Sequence, residues 1–507
     1  MKRDLTRLTD EAFDVVVVGG GIQGAWIAWD AALRGLRVAL IEQDDFGAAT
    51  SANSLRIVHG GLRYLARGDL RRMQVSIRER SALLRTAPTL VEPLAVLVPT
   101  EGLGTRSRPA FRAALAINDL LSRDRNRGLL PERHLPDGRV VSLEECRRRF
   151  PAFPASRATG GALWYDARVR EPERLTLALV KAAAARGAVA ANYCRAEGML
   201  FARGAGAGVV ASDGVSGGRL EIRGRRVVIS AGPWTPALAG EDPAERPVAF
   251  ALNLEVAGRL ADAAVGVRSP SGPAVDPVIG GHRFIFLVPQ DSTTLLGTWY
   301  APWPAAGADP GALIRRGAEV LLAEFRTACP GLELEEADVV RTYWGLLPLK
   351  QGREPGRPGA LADRDRVAGH RGAGGSDGMF SVEGVKFTTA RGTAELAVDA
   401  VLASLRLSGR PCRTLTVRLD DGSSSRPEGM ADQIRYAIRE EMAVRLSDVI
   451  LRRSSTGAPP GSAKAAVAAA ARIAAGELGW SPARERAEID DVLQRLAPFG
   501  PAPVPDA

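Results

Sequence analysis

Cysteine is scarce in this chain: there are four in 507 residues, at Cys146, Cys194, Cys329 and Cys412. None has a partner at metal-ligand or redox spacing. That excludes a zinc ribbon, a CxxC centre and a disulfide framework, and it fits a reducing, cytoplasmic setting. A run of eighteen apolar residues is also missing, so no membrane-spanning helix is expected. The opening MKRDLTRLTDE is polar, unlike a secretory or transit peptide. No Gly-x-Ser-x-Gly or Walker pattern supports a hydrolase or a nucleoside triphosphatase. With no His, Cys and Asp cluster at ligand spacing, no metal is expected. Lysine is rare too, five residues within a Lys plus Arg total of 67. The net charge of +9 is therefore carried by arginine, scattered and interleaved with acids. Such scatter argues against nucleic acid as a partner. Peripheral contact with an anionic membrane face stays open, because a basic patch needs only a few residues close in space.

What is present begins at Phe13. The stretch FDVVVVGGGIQGAWIAWDAALRGLRVALIE places an apolar run, Val15 to Val18, before Gly19, Gly21 and Gly24. A helical segment follows, then a second apolar run ending on Glu42. Gly19 permits a tight turn, Gly21 lets the backbone approach a pyrophosphate, and Gly24 lets helix and strand pack closely. The N–H groups at the helix start, around Ile22 and Gln23, attract phosphate. Glu42 lies about twenty residues on, where a carboxylate accepts hydrogen bonds from ribose hydroxyls. Further along, residues 88 to 166 read as an irregular, Arg-rich insertion with short helices. Alternating runs over 247 to 350 suggest a mixed or antiparallel sheet. Helices are expected over Leu175 to Arg186, Thr393 to Leu405, Met430 to Arg453 and Ala463 to Leu478, with one more before Pro498.

Four further strings carry a family resemblance: TSANSLRIVHGGLRYL, SAGPW, GVKFTTAR and the tail segment IRYAIREEMAVRLSDVILRR. With the glycine motif, they make the chain resemble the FAD-dependent glycerol-3-phosphate dehydrogenases of the glycine-oxidase and D-amino-acid-oxidase group. The resemblance covers most of the chain and implies an α/β fold. A Rossmann-like FAD-binding domain would comprise 1–90, 167–245 and 351–408. A mixed or antiparallel substrate domain would comprise 91–166 and 246–350, with a helical domain at 425–500. It implies that Gly19, Gly21, Ile22, Gln23, Gly24 and Glu42 hold the ADP part of FAD. Thr50, Ser51, Ser54, His59, Gly60 and Gly61 would line the pyrophosphate and flavin. Gly232 and Trp234 would close the crevice, and Gly384, Lys386, Phe387 and Thr388 would sit at the pyrimidine end. NAD is a poorer fit, because a nicotinamide site has no need of the later segments.

The substrate side departs from the family. Leu347 stands where the family has an arginine, Gly297-Thr298-Trp299-Tyr300 replaces a Gly-Thr-Thr-Asp stretch, and Leu252 to Glu255 lacks the family's lysine and histidine. The expected activity is hydride transfer from a hydroxyl- or amine-bearing carbon of a small substrate to flavin N5, with altered specificity. The electron acceptor would be a quinone or O2. Catalytic candidates are His59, Arg63, Tyr64 and Lys386, with Glu255, His282 and Tyr343 as further bases. Arg63, Tyr64, Tyr300, Tyr343, Leu347 and Arg364 would meet substrate, with Arg391 and Lys350 as additional cations. His134 and His370 read as solvent-exposed. Three competing readings are a true glycerol-3-phosphate dehydrogenase with a repositioned cation passing electrons to a membrane quinone, an amine or amino-acid oxidase reducing O2, and a silent flavin-binding interaction protein.

Overall fold

The computed structural model describes residues 1–154, 158–202, 205–242, 245–270, 278, 283–304, 309–351, 359–371, 377–420, 426–454 and 463–499. The chain forms two compact units, one of Met1–Ala52, Glu171–Arg246 and Asp363–Ala507, the other of Asn53–Arg170 and Pro247–Ala362.

The first unit is built on a six-stranded sheet. Its order is Arg366–Arg371, Asp377–Glu383, Val227–Ile229, Val15–Val18, Val38–Ile41 and Val189–Ala191. The last five are parallel, and the first is antiparallel to its neighbour. Val15–Val18 and Val38–Ile41 are buried at every position, which is why they read as unbroken apolar runs. The helix Ile22–Leu33 starts directly after Gly21 and is almost wholly buried. Helices Pro172–Ala184 and Ala390–Ser404 pack against it. A four-stranded sheet of Ala12–Phe13, Arg219–Gly224, Ala205–Asp213 and Cys194–Ala202 completes this part. The tail contributes helices Met430–Glu440, Ala463–Leu478 and Pro482–Leu496 around Ile434, Leu446, Val467, Ala470 and Val492. The single helix expected over Met430 to Arg453 is broken. Met442 takes a φ of 55°, outside the right-handed helical region, before the short turns Leu446–Asp448 and Val449–Arg453.

The second unit is a nine-stranded, mostly antiparallel sheet. It runs Val339–Pro348, Val248–Ala257, Thr293–Pro302, Phe284–Pro289, Ala264–Arg268, Val91–Glu101, Ala158–Val169 and Ile57–Val58, with Arg139–Val141 on the edge of Ala158–Val169. Residues 88 to 166 are thus less irregular than the sequence suggests, since they hold two of the longest strands. Pro93, Pro99, Gly160 and Gly161 interrupt the alternation that marks a strand. Residues 53–90 also group here instead of with the first unit, because Ile57–Val58 pairs with Arg168 and Ala167.

Candidate active site

In the first unit Gly19 and Gly24 meet backbone demands that only glycine satisfies. Gly19 has a φ of +103°, and a Cβ there would lie 2.6 Å from Ser230 O. A Cβ on Gly24 would lie 1.8 Å from Gly19 O, so only glycine permits this approach of helix to turn. Glu42 closes its strand, and Oε2 accepts the Gly20 N–H at 2.6 Å while Oε1 accepts the Asp44 N–H at 3.0 Å. Burial pushes the Glu42 carboxyl up to about 7, with Asp44 and Asp45 adding to the effect. Ser51 Oγ accepts the N–H of Ile22, the first residue of the helix, at 2.9 Å. Thr50 is half-buried on the same loop.

The GVKFTT segment approaches the same helix start, for a Cβ on Gly384 would lie 1.9 Å from Gln23 Nε2. Gln23 Oε1 is buried with no hydrogen-bond partner among the described residues. Lys386 and Phe387 are half-buried and Thr388 is buried. Asp365, which sequence reasoning missed, fastens this segment: it accepts the Val385 N–H and the Thr393 hydroxyl, each at 2.7 Å. Its only signal was the acid beside Arg364, itself exposed. Gly232, with a φ of 58°, and Trp234 form a short turn after Val227–Ile229. The dinucleotide turn, the orphaned Gln23 oxygen and the ribose-type carboxylate together fit FAD.

Arg391 is no anion site. It is buried and bonded to Thr414 Oγ1 at 3.0 Å and Glu395 Oε2 at 2.8 Å. His370 is not solvent-exposed either, as its Nε2 lies 2.6 Å from Ser381 Oγ.

The second unit holds Ser54, His59, Gly60, Gly61, Arg63 and Tyr64. Ser54 Oγ accepts the Arg56 N–H at 3.2 Å. Gly61 has a φ of 85°, a left-handed conformation that favours glycine. The Gly60 N–H donates to Asp166 Oδ1 at 2.6 Å, and buried Arg80 donates to the same oxygen at 2.7 Å. A Cβ on Gly60 would strike Arg80 Nη1 at 2.3 Å. Arg80 and Asp166 thus support the His-Gly-Gly turn. They lie 20 and 106 residues from Gly60, and no local motif reveals them. Tyr64 is buried with Met73 and Ile77, and the guanidinium groups of Arg63 and Arg72 stand over its ring at 5.2 and 5.3 Å. Arg63 Nη2 donates to Tyr64 OH at 3.2 Å, and the His59 ring meets Tyr64 edge-on at 5.9 Å.

Strand register places Tyr300, Tyr343 and Leu347 on one face of the second sheet, opposite Ala251, Asn253 and Ala249 respectively. Tyr343 OH donates to Glu255 Oε2 at 2.7 Å and accepts from Arg56 Nη2 at 3.3 Å, and burial raises its pKa. Trp299 does not join this face. It lies buried on the other, near Phe250 and against the helix Pro310–Ala328, where a Cβ on Gly317 would meet its ring at 2.4 Å. Lys350 and His134 are exposed, and His282 lies outside the described residues. Among the described residues no three His, Cys, Asp or Glu side chains converge as a metal site, and no helix is long and apolar enough to cross a membrane.

Comparison with known proteins agrees with this geometry. Residues 14–400 match the FAD dependent oxidoreductase family, and residues 397–485 match the C-terminal domain of alpha-glycerophosphate oxidase. Glycerol-3-phosphate dehydrogenase of Synechocystis is 31% identical over 82% of this chain and 74% of its own length. Glycerol-3-phosphate dehydrogenase 1 of Mycobacterium tuberculosis is 33% identical over 82% of this chain and 78% of its own. The glycerol-3-phosphate dehydrogenase of Bacillus halodurans, solved with FAD, superposes with a TM-score of 0.73 at 22% identity, covering 97% of this chain and 96% of that one, a likeness of fold. The chain belongs to the FAD-dependent glycerol-3-phosphate dehydrogenase family and is an oxidoreductase with FAD as its cofactor.

Proposed function

We propose that this enzyme oxidises a small substrate at a hydroxyl-bearing carbon, and that it recognises the substrate's polar end differently from its glycerol-3-phosphate dehydrogenase relatives. FAD, when bound, supplies the hydride acceptor at flavin N5. Leu347 carries the reading. It shares a sheet face with Tyr343 and Asn253, and brings no charge where the family resemblance calls for an arginine. Arg56 and Arg341 stand over the Tyr343 ring instead, at 5.5 and 5.9 Å, and Glu255 beside them offsets their charge. Such a face suits a neutral or weakly anionic group better than a phosphate dianion. In this reading His59 takes the hydroxyl proton, Arg63 holds the polar end with Tyr64 keeping it in place, and Tyr300 borders the substrate. Lys386 sets a positive charge at the pyrimidine end of the cofactor.

The electron acceptor is a quinone or O2. A quinone reached at a membrane surface is favoured by the helix Arg108–Leu121, which exposes Ile117 and Leu120 toward its end and Arg108 and Arg112 toward its start. The FAD-loaded protein is mixed without oxygen with glycerol 3-phosphate, glycerol and a small amino acid. Flavin bleaching by glycerol at lower concentration than by glycerol 3-phosphate is expected. Preferential bleaching by glycerol 3-phosphate would overturn the altered specificity, and bleaching by the amino acid alone would overturn the hydroxyl substrate.

A further inference from the structure

We propose that Arg452 and Arg453, in the helical tail, are positioning residues of the FAD site, acting through Asp45 on the loop that lies against the phosphate-binding turn. Asp45 is completely buried, and Arg452 and Arg453 are nearly so. Its Oδ2 accepts from Arg452 Nε at 2.6 Å and Arg453 Nη1 at 2.5 Å. Its Oδ1 accepts from Arg453 Nη2 at 2.6 Å and Asn192 Nδ2 at 3.0 Å. Arg452 also reaches Asp448 Oδ1 at 2.7 Å, which takes the Tyr193 hydroxyl at 2.6 Å. The two guanidinium groups hold the Asp45 carboxyl down to about 2.

Asp45 sits in the middle of a loop that meets the cofactor turn at four points. Glu42 accepts the Gly20 N–H, and Phe46 packs where a Gly20 Cβ would be, 2.6 Å from Phe46 Cδ1. The Gly47 N–H donates to Gly20 O at 3.1 Å, and Ser51 accepts the Ile22 N–H. A buried ion cluster of this kind is poor evidence for added stability, because desolvation offsets much of its attraction. What it supplies is geometry: a paired arginine fork fixes where its carboxylate lies. The tail has a second attachment to the same unit through the Glu441 carboxylate, which accepts from Arg174 at 2.7 and 3.1 Å and from Lys181 at 2.9 Å, while Arg453 donates to the Glu441 backbone carbonyl at 3.3 and 3.2 Å, a contact that a side-chain change there leaves in place. The carboxylate contact provides a control.

The test is FAD titration of the cofactor-stripped full chain by flavin fluorescence, with urea unfolding of each variant alongside. Arg453→Met leaves Arg452 and Asn192 on Asp45, and should weaken FAD binding by at least about tenfold. Glu441→Gln loosens the tail without touching the loop, and should leave FAD affinity within about twofold. Equal weakening in both variants would overturn the proposal, as would unchanged FAD affinity in Arg453→Met despite lowered stability. Should Arg453→Met fail to fold, Arg453→Lys carries the test. It keeps the charge but loses the fork, and a loss of about threefold is expected, with no loss overturning the proposal.

Discussion

Burial pushes the Glu42 carboxyl up to about 7 from an ordinary 4.5, and this has opposite consequences for the FAD-free fold and for binding. Between those two values the folded chain keeps a proton that the unfolded chain has released. Stability conferred by the neutral form is therefore lost as pH rises through that window, and above about 7 the buried carboxylate opposes folding in full. Glu42→Gln should stabilise the FAD-free protein by on the order of 2 kcal/mol at pH 8, with the gain shrinking toward nothing near pH 4.5. Urea unfolding at both pH values checks this. The same variant should bind FAD about tenfold less tightly, because an amide oxygen is a weaker acceptor for ribose hydroxyls than a carboxylate. Asp166 presents the reverse case. Asp166→Ala leaves buried Arg80 without its counter-ion and the Gly60 N–H without its acceptor. The expected cost is about 3 kcal/mol, read as a lower urea midpoint.

Elements whose residues are buried all round announced themselves, and those shaped by distant partners did not. Val15–Val18 and Val38–Ile41 were legible because a parallel strand covered on both faces must be apolar throughout. Val91–Glu101 and Ala158–Val169 were hidden by Pro93, Pro99, Gly160 and Gly161, tolerated because the rest of the ladder holds register. The break at Met442 was hidden for another reason. Glu441 is turned inward by Arg174 and Lys181, partners far back in the sequence. The helix Arg108–Leu121 shows what local pattern does carry. Only Leu115 and Asn118 are buried on it, while Ile117 and Leu120 are exposed, Arg108 and Arg112 are exposed more than a turn earlier, and Leu103 in the preceding loop is 98% exposed. If this surface meets an anionic membrane, Ile117→Asp combined with Leu120→Asp should abolish co-sedimentation with vesicles containing anionic lipid. Since neither side chain is buried, stability should change by less than about 0.5 kcal/mol. Wild-type binding should weaken as salt is raised.

At the scale of the whole molecule, the chain passes between its two units at 52/53, 170/171, 246/247 and 362/363, so a motif continuous in sequence can be divided in space. TSANSLRIVHGG is an instance, with Thr50 and Ser51 in the unit of the dinucleotide turn and Ser54 and His59 in the other. The dinucleotide turn of the first unit was legible because backbone geometry demands glycine and a terminal acid at fixed spacing. The proposed substrate face depends on which side chains share one side of the sheet, and register decides that: Tyr300 and Leu347 fall with Tyr343, whereas Trp299 does not. The reading of this face can be tested at one of its residues. Leu347→Arg restores a cation opposite Ala249, on a half-buried position that can admit a longer side chain. A charge-assisted contact to an anionic group is worth about 1.5–3 kcal/mol, so KM for glycerol 3-phosphate should fall by on the order of tenfold or more. Because the contact is made alike before and during reaction, kcat should stay nearly constant. FAD affinity should not move, since Leu347 is not among the residues that the family resemblance assigns to FAD. An unchanged KM would show that Leu347 does not border the substrate, and a changed FAD affinity would show that it bears on the cofactor as well.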